Sequence, residues 1–192
     1  MSKPIIKTGT RILRPYEYET LKRVIPLQDH RTQLDTLLYT GMRYREMEQL
    51  RDNPDWYDPT TGSISIPETA GGKRERTMKE RTVYLSAQGM ITIPYFFQMD
   101  RKITEAKVWS MNLKRWGKKA ELDPAGLNAR TTRKTWESWL CVTYPQVLPL
   151  IAMSQGHTLM IAMQHYLNLP FTGSEVDRIK LYTAGWTGLK KM

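Results

Sequence analysis

Residues 126–166 read GLNARTTRKTWESWLCVTYPQVLPLIAMSQGHTLMIAMQHY, and the placement of four polar side chains in this stretch decides the fold. A helix turns by about 100° per residue, so Arg130 and Arg133 project from one face, about one turn apart. Two guanidinium forks side by side suit a phosphate. His157 and Tyr166 lie nine residues apart, and on one straight helix they would point in opposite directions. A site that uses both therefore needs a break in the helix, predicted within 158–163, with Tyr166 on a separate segment. Far upstream, Arg43 follows a helix stop at Gly41 and completes the set.

The rest of the composition sets bounds on that reading. A chain of 192 residues supports one substantial core. Its 29 basic residues against 19 acidic ones give a net charge of +10, which points first to nucleic acid and second to an anionic membrane surface. No apolar run is long enough for a membrane span, and the N-terminus lacks the apolar core of a signal peptide. A soluble protein of the cytoplasm, nucleoid-associated, or of the host cell if virus-encoded, is expected. The single cysteine, Cys141, excludes an intramolecular disulfide and reads as a core thiol. His30, His157 and His165 are too scattered for a zinc site, and no GxxxxGK[ST] phosphate loop occurs, so neither metal nor cofactor is expected.

Along the chain, residues 1–13 read as a basic, irregular arm. Helices are predicted from Pro15 to Pro26, over 28–40 with Leu34, Leu37 and Leu38 on one face, and briefly in REMEQL. The alternation in SISIPE and in ERTVYLS predicts two strands. Between them, TAGGKRERTMKE crowds Lys73, Arg74, Arg76, Lys79 and Arg81 into a connection that is either a solvated hairpin tip or a finger laid on a phosphate backbone. Helices follow over 87–99 and 104–119, around Arg130 and Arg133, from Pro145 through QVLPLIAMS, and in GSEVDRIKLYTAGW. Trp136 and Trp139 are assigned to the core, and Met153, Met160 and Met163 are read as packing residues.

In this order the motifs resemble the catalytic domain of tyrosine recombinases, the phage-integrase family. TGMRYREMEQL matches the first box, TG[LM]R with a glutamate three residues after the arginine, at Arg43 and Glu46. KERTVYLS is close to the hairpin box KERxVPL. RTTRKTWESWL corresponds to HxLRHTFATHL, with Arg133 at the invariant arginine and Arg130 where histidine is usual. QGHTLMIAMQHY corresponds to LGHSSxxTTxxY and supplies His157 and Tyr166. The resemblance covers residues 12–167. It departs at Arg130 and in a longer hairpin, where Arg76 stands at the usual lysine position while Lys73 and Lys79 are offered by the insertion.

The resemblance implies a mainly α fold with a small antiparallel β-sheet (α+β), in one catalytic domain over 14–192. A C-terminal tail over 171–192 is long enough to pack on a neighbouring copy, and the family's N-terminal core-binding domain is absent from this sequence. It also implies double-stranded DNA as partner, with self-association as a dimer or tetramer on DNA, and neither a membrane nor a small-molecule substrate. The implied chemistry is metal- and ATP-independent strand cutting and rejoining through a 3′-phosphotyrosyl intermediate. The implied roles are Arg43, Arg130 and Arg133 on the phosphate, His157 donating to it or orienting it, Lys73 as general acid with Lys79 as the alternative, and Tyr166 as nucleophile. Arg74, Arg76, Lys79, Arg81 and Lys134 are expected to touch DNA. The alternatives are a catalytically silent DNA-binding domain of the same fold and a type IB topoisomerase-like enzyme.

Overall fold

The computed structural model describes residues 3–70, 80–166 and 169–191, with residues 164–166 and 191 described in their backbone only. The chain is organised around one buried helix, α6 (Thr131–Thr143), which is contacted by helices and strands from both halves of the sequence. Trp136, Trp139 and Leu140 of α6 are fully buried, as expected of its apolar run. Truncating a tryptophan so enclosed costs about 3–5 kcal/mol.

Before α6, β1 (Ile5–Lys7) and β2 (Thr10–Ile12) form an antiparallel hairpin. This corrects the irregular arm expected over 1–13. Ile12 and Leu13 are buried, the Leu13 amide donates to Thr135 Oγ1 at 2.9 Å, and Trp139 Nε1 donates to the Leu13 carbonyl at 3.1 Å. The basic character of this segment is also partly turned inward: Arg11 is ion-paired with Glu17 at 2.6 Å, and Arg14 with Glu175 at 2.6 Å.

Helix α1 (Pro15–Val24) opens on a proline whose missing N–H costs nothing at that position, with Glu17 early and Lys22 and Arg23 late in the helix dipole. Helix α2 (Gln28–Thr40) buries Leu34, Leu37 and Leu38 and ends at Gly41, whose φ of +60° is left-handed. A Cβ at Gly41 would lie 2.5 Å from Gln155 Oε1 and 2.7 Å from Trp136 Cδ1, so glycine is required twice over. Helix α3 (Tyr44–Asp52) follows directly.

A three-stranded antiparallel sheet comes next: β3 (Tyr57–Asp58), β4 (Ser63–Ile66) and β5 (Arg81–Tyr84), with Ile64 paired to Val83. The two longer strands are those predicted from alternation, and β3 falls in RDNPDWYDPTTG, whose Asn-Pro, Asp-Pro and Gly residues read as turns. Helices α4 (Ala87–Phe97) and α5 (Ala106–Lys119) cover the body. After α6 come α7 (Leu148–Gln155), α8 (Leu159–Tyr166) and α9 (Gly173–Thr183).

The break demanded between His157 and Tyr166 is present. Gly156 takes a left-handed φ of +70°, His157 and Thr158 are non-helical, and α8 then runs unbroken to Tyr166, so the interruption sits at the early edge of the predicted interval. Segment 171–192 is anchored on its own chain in its described part: Ile179 and Trp186 are buried, and Ala184 accepts from the Ala87 amide at 3.0 Å. One further expectation is corrected. Met153, Met160 and Met163 are 69%, 69% and 49% exposed, because they fall on the outer faces of α7 and α8. No helix among the described residues is long and apolar enough to cross a membrane.

Candidate active site

Arg43 is placed by the stop at Gly41 and serves as N-cap of α3. Its amide donates to Glu46 Oε2 at 2.7 Å and its Nη1 to Glu46 Oε1 at 2.9 Å, so Glu46 caps the first turn from one side only, a guanidinium having no acceptor to offer in return. Glu46 is almost fully buried and is also gripped by both terminal nitrogens of Arg81, at 3.1 and 2.7 Å. Burial opposes ionisation of Glu46, but Arg81, then Arg133 and Arg43, hold its carboxyl below the usual range. Arg81 Nε donates to the Ser154 carbonyl at 3.1 Å. Arg81 is thus 8% exposed and points inward, which corrects its assignment as a DNA contact.

Arg133 sits in the first turn of α6 and ties three distant segments together. Its Nη1 donates to the Gly41 carbonyl at 2.8 Å and its Nη2 to the Gln155 carbonyl. Burial first, and then the like charges of Arg43 and Arg81, push its pKa down to about 10, leaving it charged at neutral pH. Arg130 is the N-cap of α6 and is exposed. Arg43, Arg130 and Arg133 line one hollow of about 430 Å³, shared with Arg45, Lys134, Tyr44, Ala106 and Ala129. Among the described residues five basic groups and no carboxylate line it, so its chemistry selects an anion. Lys134 also reaches the N-terminal hairpin, donating to the Lys7 carbonyl at 2.9 Å and to Thr8 Oγ1. Burial and the charge of Arg130 lower its pKa.

His157 does not line the hollow. Its Nε2 lies 2.5 Å from Oε1 of Glu137, in contact but without hydrogen-bond alignment. Tyr166 is the last residue of α8. Lys73, Arg74, Arg76 and Lys79 lie outside the described residues. The arrangement therefore unites three predicted arginines, leaves His157 off the lining of their hollow and against Glu137, and turns Arg81 toward Glu46.

Three participants were missed from sequence. Arg45 and Tyr44 stand beside Arg43, and their part in the hollow depends on how α3 is rotated. Glu137 carried a usable signal, since a carboxylate in the apolar run WESWLC, four residues after Arg133, must meet a cation or stay costly.

No protein-family model matches the sequence, and no curated protein does. Solved structures do match. The chain superposes on the XerA recombinase with a TM-score of 0.66 at 17% identity, over 94% of this chain and 66% of that one. It superposes on the Tn1549 transposon integrase in complex with circular intermediate DNA with a TM-score of 0.65 at 13% identity, over 92% of this chain and 68% of that one. The same integrase as a tyrosine-to-phenylalanine variant, in complex with transposon right end DNA, gives a TM-score of 0.65 at 13% identity, over 92% of this chain and 66% of that one. The chain thus spans about two-thirds of the length of these structures. The fold is that of a tyrosine recombinase catalytic domain, mainly α with small antiparallel sheets.

Proposed function

We propose that this chain cuts and rejoins double-stranded DNA through a covalent 3′-phosphotyrosyl intermediate. The observation that carries the reading is the single hollow lined by Arg43, Arg130 and Arg133, drawn from two chain segments that are far apart in sequence. A phosphodiester already bears one negative charge, and attack by an anionic phenol adds more to the non-bridging oxygens. Fixed guanidinium groups offset that charge most strongly in the transition state, where it is greatest.

Tyr166 Oη gives its proton to solvent water and attacks phosphorus, the bond from phosphorus to the 5′-oxygen breaks, and the 3′-phosphate becomes joined to the enzyme. Lys73, or Lys79 in its place, supplies the proton to the departing 5′-oxygen. The phosphotyrosyl bond retains the energy of the diester, so a 5′-hydroxyl can reverse the step without ATP or metal. Arg130 stands where the family box has histidine; it donates to a phosphate oxygen but cannot act as a base. Arg74, Arg76, Lys79 and Lys134 extend the contact to the phosphate backbone, and assembly as a dimer or tetramer brings two DNA partners together. The work is done in the compartment that holds the DNA.

Arg130 also favours a second reading, a DNA-binding domain of the same fold that has lost the chemistry. A nicked suicide duplex separates the two. Once the short strand is cut it diffuses away, and covalent protein–DNA complex accumulates. The enzymatic reading expects an adduct that Tyr166→Phe abolishes with DNA binding retained. Binding without adduct in the wild type supports the silent domain, and relaxation of supercoiled circles by monomers would point to topoisomerase activity.

A further inference from the structure

Helix α6 grips the connection between α7 and α8 at two points. Arg133 bonds the carbonyl of Gln155, and Glu137, one turn later, meets the imidazole of His157. That connection, Gln155–Thr158, decides where α8 begins, and α8 carries Tyr166 at its end. Ala162 is 1% exposed, so α8 is also seated on the body of the protein.

Glu137 is the unexpected member. It is fully buried, and among the described residues neither carboxylate oxygen has an aligned hydrogen-bond donor. A carboxylate sealed in this way is expensive unless cations balance it. The groups acting on it are the imidazole of His157 and the cationic side chains of Arg133 and Lys134, with the Cys141 thiol on the same helix pushed up by burial and then by Glu137 itself. In the family box HxLRHTFATHL the corresponding position is alanine, so the carboxylate is a feature of this chain.

We propose that Glu137 is a positioning residue: through His157 it fixes the α7–α8 connection against the base of α6, and so registers the helix bearing the nucleophile with the arginine-lined hollow. The role rests on the DNA-cleaving reading given above. It also accounts for His157 lying against Glu137 and off the lining of the hollow, where the imidazole acts as the strut between carboxylate and connection. A nucleophile displaced by a fraction of an ångström loses rate while the phosphate-binding groups, on other elements, keep their affinity.

The test compares wild type, Glu137→Gln, His157→Ala and the double variant. Covalent capture of a nicked suicide duplex gives the cleavage rate at saturating DNA, and a fluorescent duplex gives Kd. Glu137→Gln is expected to slow capture about 10- to 100-fold while changing Kd by less than about twofold. The double variant is expected to be no slower than His157→Ala, since both substitutions break one strut. Parallel losses in rate and affinity, or losses that multiply in the double variant, would overturn the proposal. Long-range ¹⁵N spectra of the imidazole, recorded without DNA, keep the two levels apart. An Nε2 resonance of His157 that does not move in Glu137→Gln refutes the pair whatever the enzyme does. A wild type that captures no DNA refutes the cleavage reading and the positioning role with it, even where that resonance moves.

Discussion

Replacing Glu46 by glutamine keeps the shape of the side chain and removes its charge. In the native chain the carboxylate accepts from the Arg43 amide at 2.7 Å, from Arg43 Nη1 at 2.9 Å, and from Arg81 Nη1 and Nη2 at 3.1 and 2.7 Å. The Arg81 side chain is only 5% exposed, so without the Glu46 charge it stays desolvated, with the Ser154 carbonyl as its other hydrogen-bond partner among the described residues. Removing one member of a buried pair costs about 3–5 kcal/mol, and a glutamine oxygen that still accepts one bond sets the expected loss near 3 kcal/mol. Urea unfolding followed by the fluorescence of the six tryptophans measures it, as a lower midpoint at unchanged slope. Acid adds a second signature. The folded carboxyl is held below its ordinary value of 4.5, so its contribution is present above that pH and is lost as pH falls through the lower folded value. Wild type should therefore lose stability on acidification from about pH 4.5 downward, and Glu46→Gln should lose less. A cost under about 1 kcal/mol, the size of an exposed pair, with an unaltered acid profile, would refute the reasoning.

Three further outcomes are expected. Gly156→Ala places a Cβ 2.7 Å from Arg81 Cδ and imposes a left-handed φ, so it should destabilise by at least about 1–2 kcal/mol in the same urea assay; a neutral result would mean that the connection before His157 adapts freely. Arg130→Ala removes an exposed cation from the hollow. It should lower the slope of log K for DNA against log salt by about one with folding stability kept within about 0.5 kcal/mol, and an unchanged slope would remove Arg130 from the phosphate contact. Cys141 is 2% exposed and its thiol is pushed up by burial and then by Glu137, so thiol reagents should label it only on unfolding; rapid native labelling would contradict its place in the core.

The helices were legible where apolar spacing and stop signals coincide: Leu34, Leu37 and Leu38 with Gly41 define α2 almost to the residue. The angle between His157 and Tyr166 likewise foretold a break, because helix geometry leaves no other way to share a site. The hairpin over 5–12 was not legible, since its three-residue strands carry too short an alternation and its buried residues are recognised only against α6. Arg81 illustrates a different limit. In sequence it belongs to a basic run that reads as solvated, yet strand pleating turns it toward Glu46 while its neighbour Thr82 faces the other way. Arg43, Arg130 and Arg133 were found through motif order, whereas Arg45 needed the rotation of α3 about its axis to be known; Glu137 was signalled by its apolar surroundings, but its partner was not.

The most direct measurement is peptide mapping of protein trapped on a nicked duplex. After nuclease and protease digestion, mass spectrometry should find one nucleotide-linked peptide, modified at Tyr166 and absent from Arg133→Ala protein, in which the phosphate is no longer held. A nucleotide on another of the ten tyrosines, or no linked peptide from protein that binds the duplex, would contradict the account.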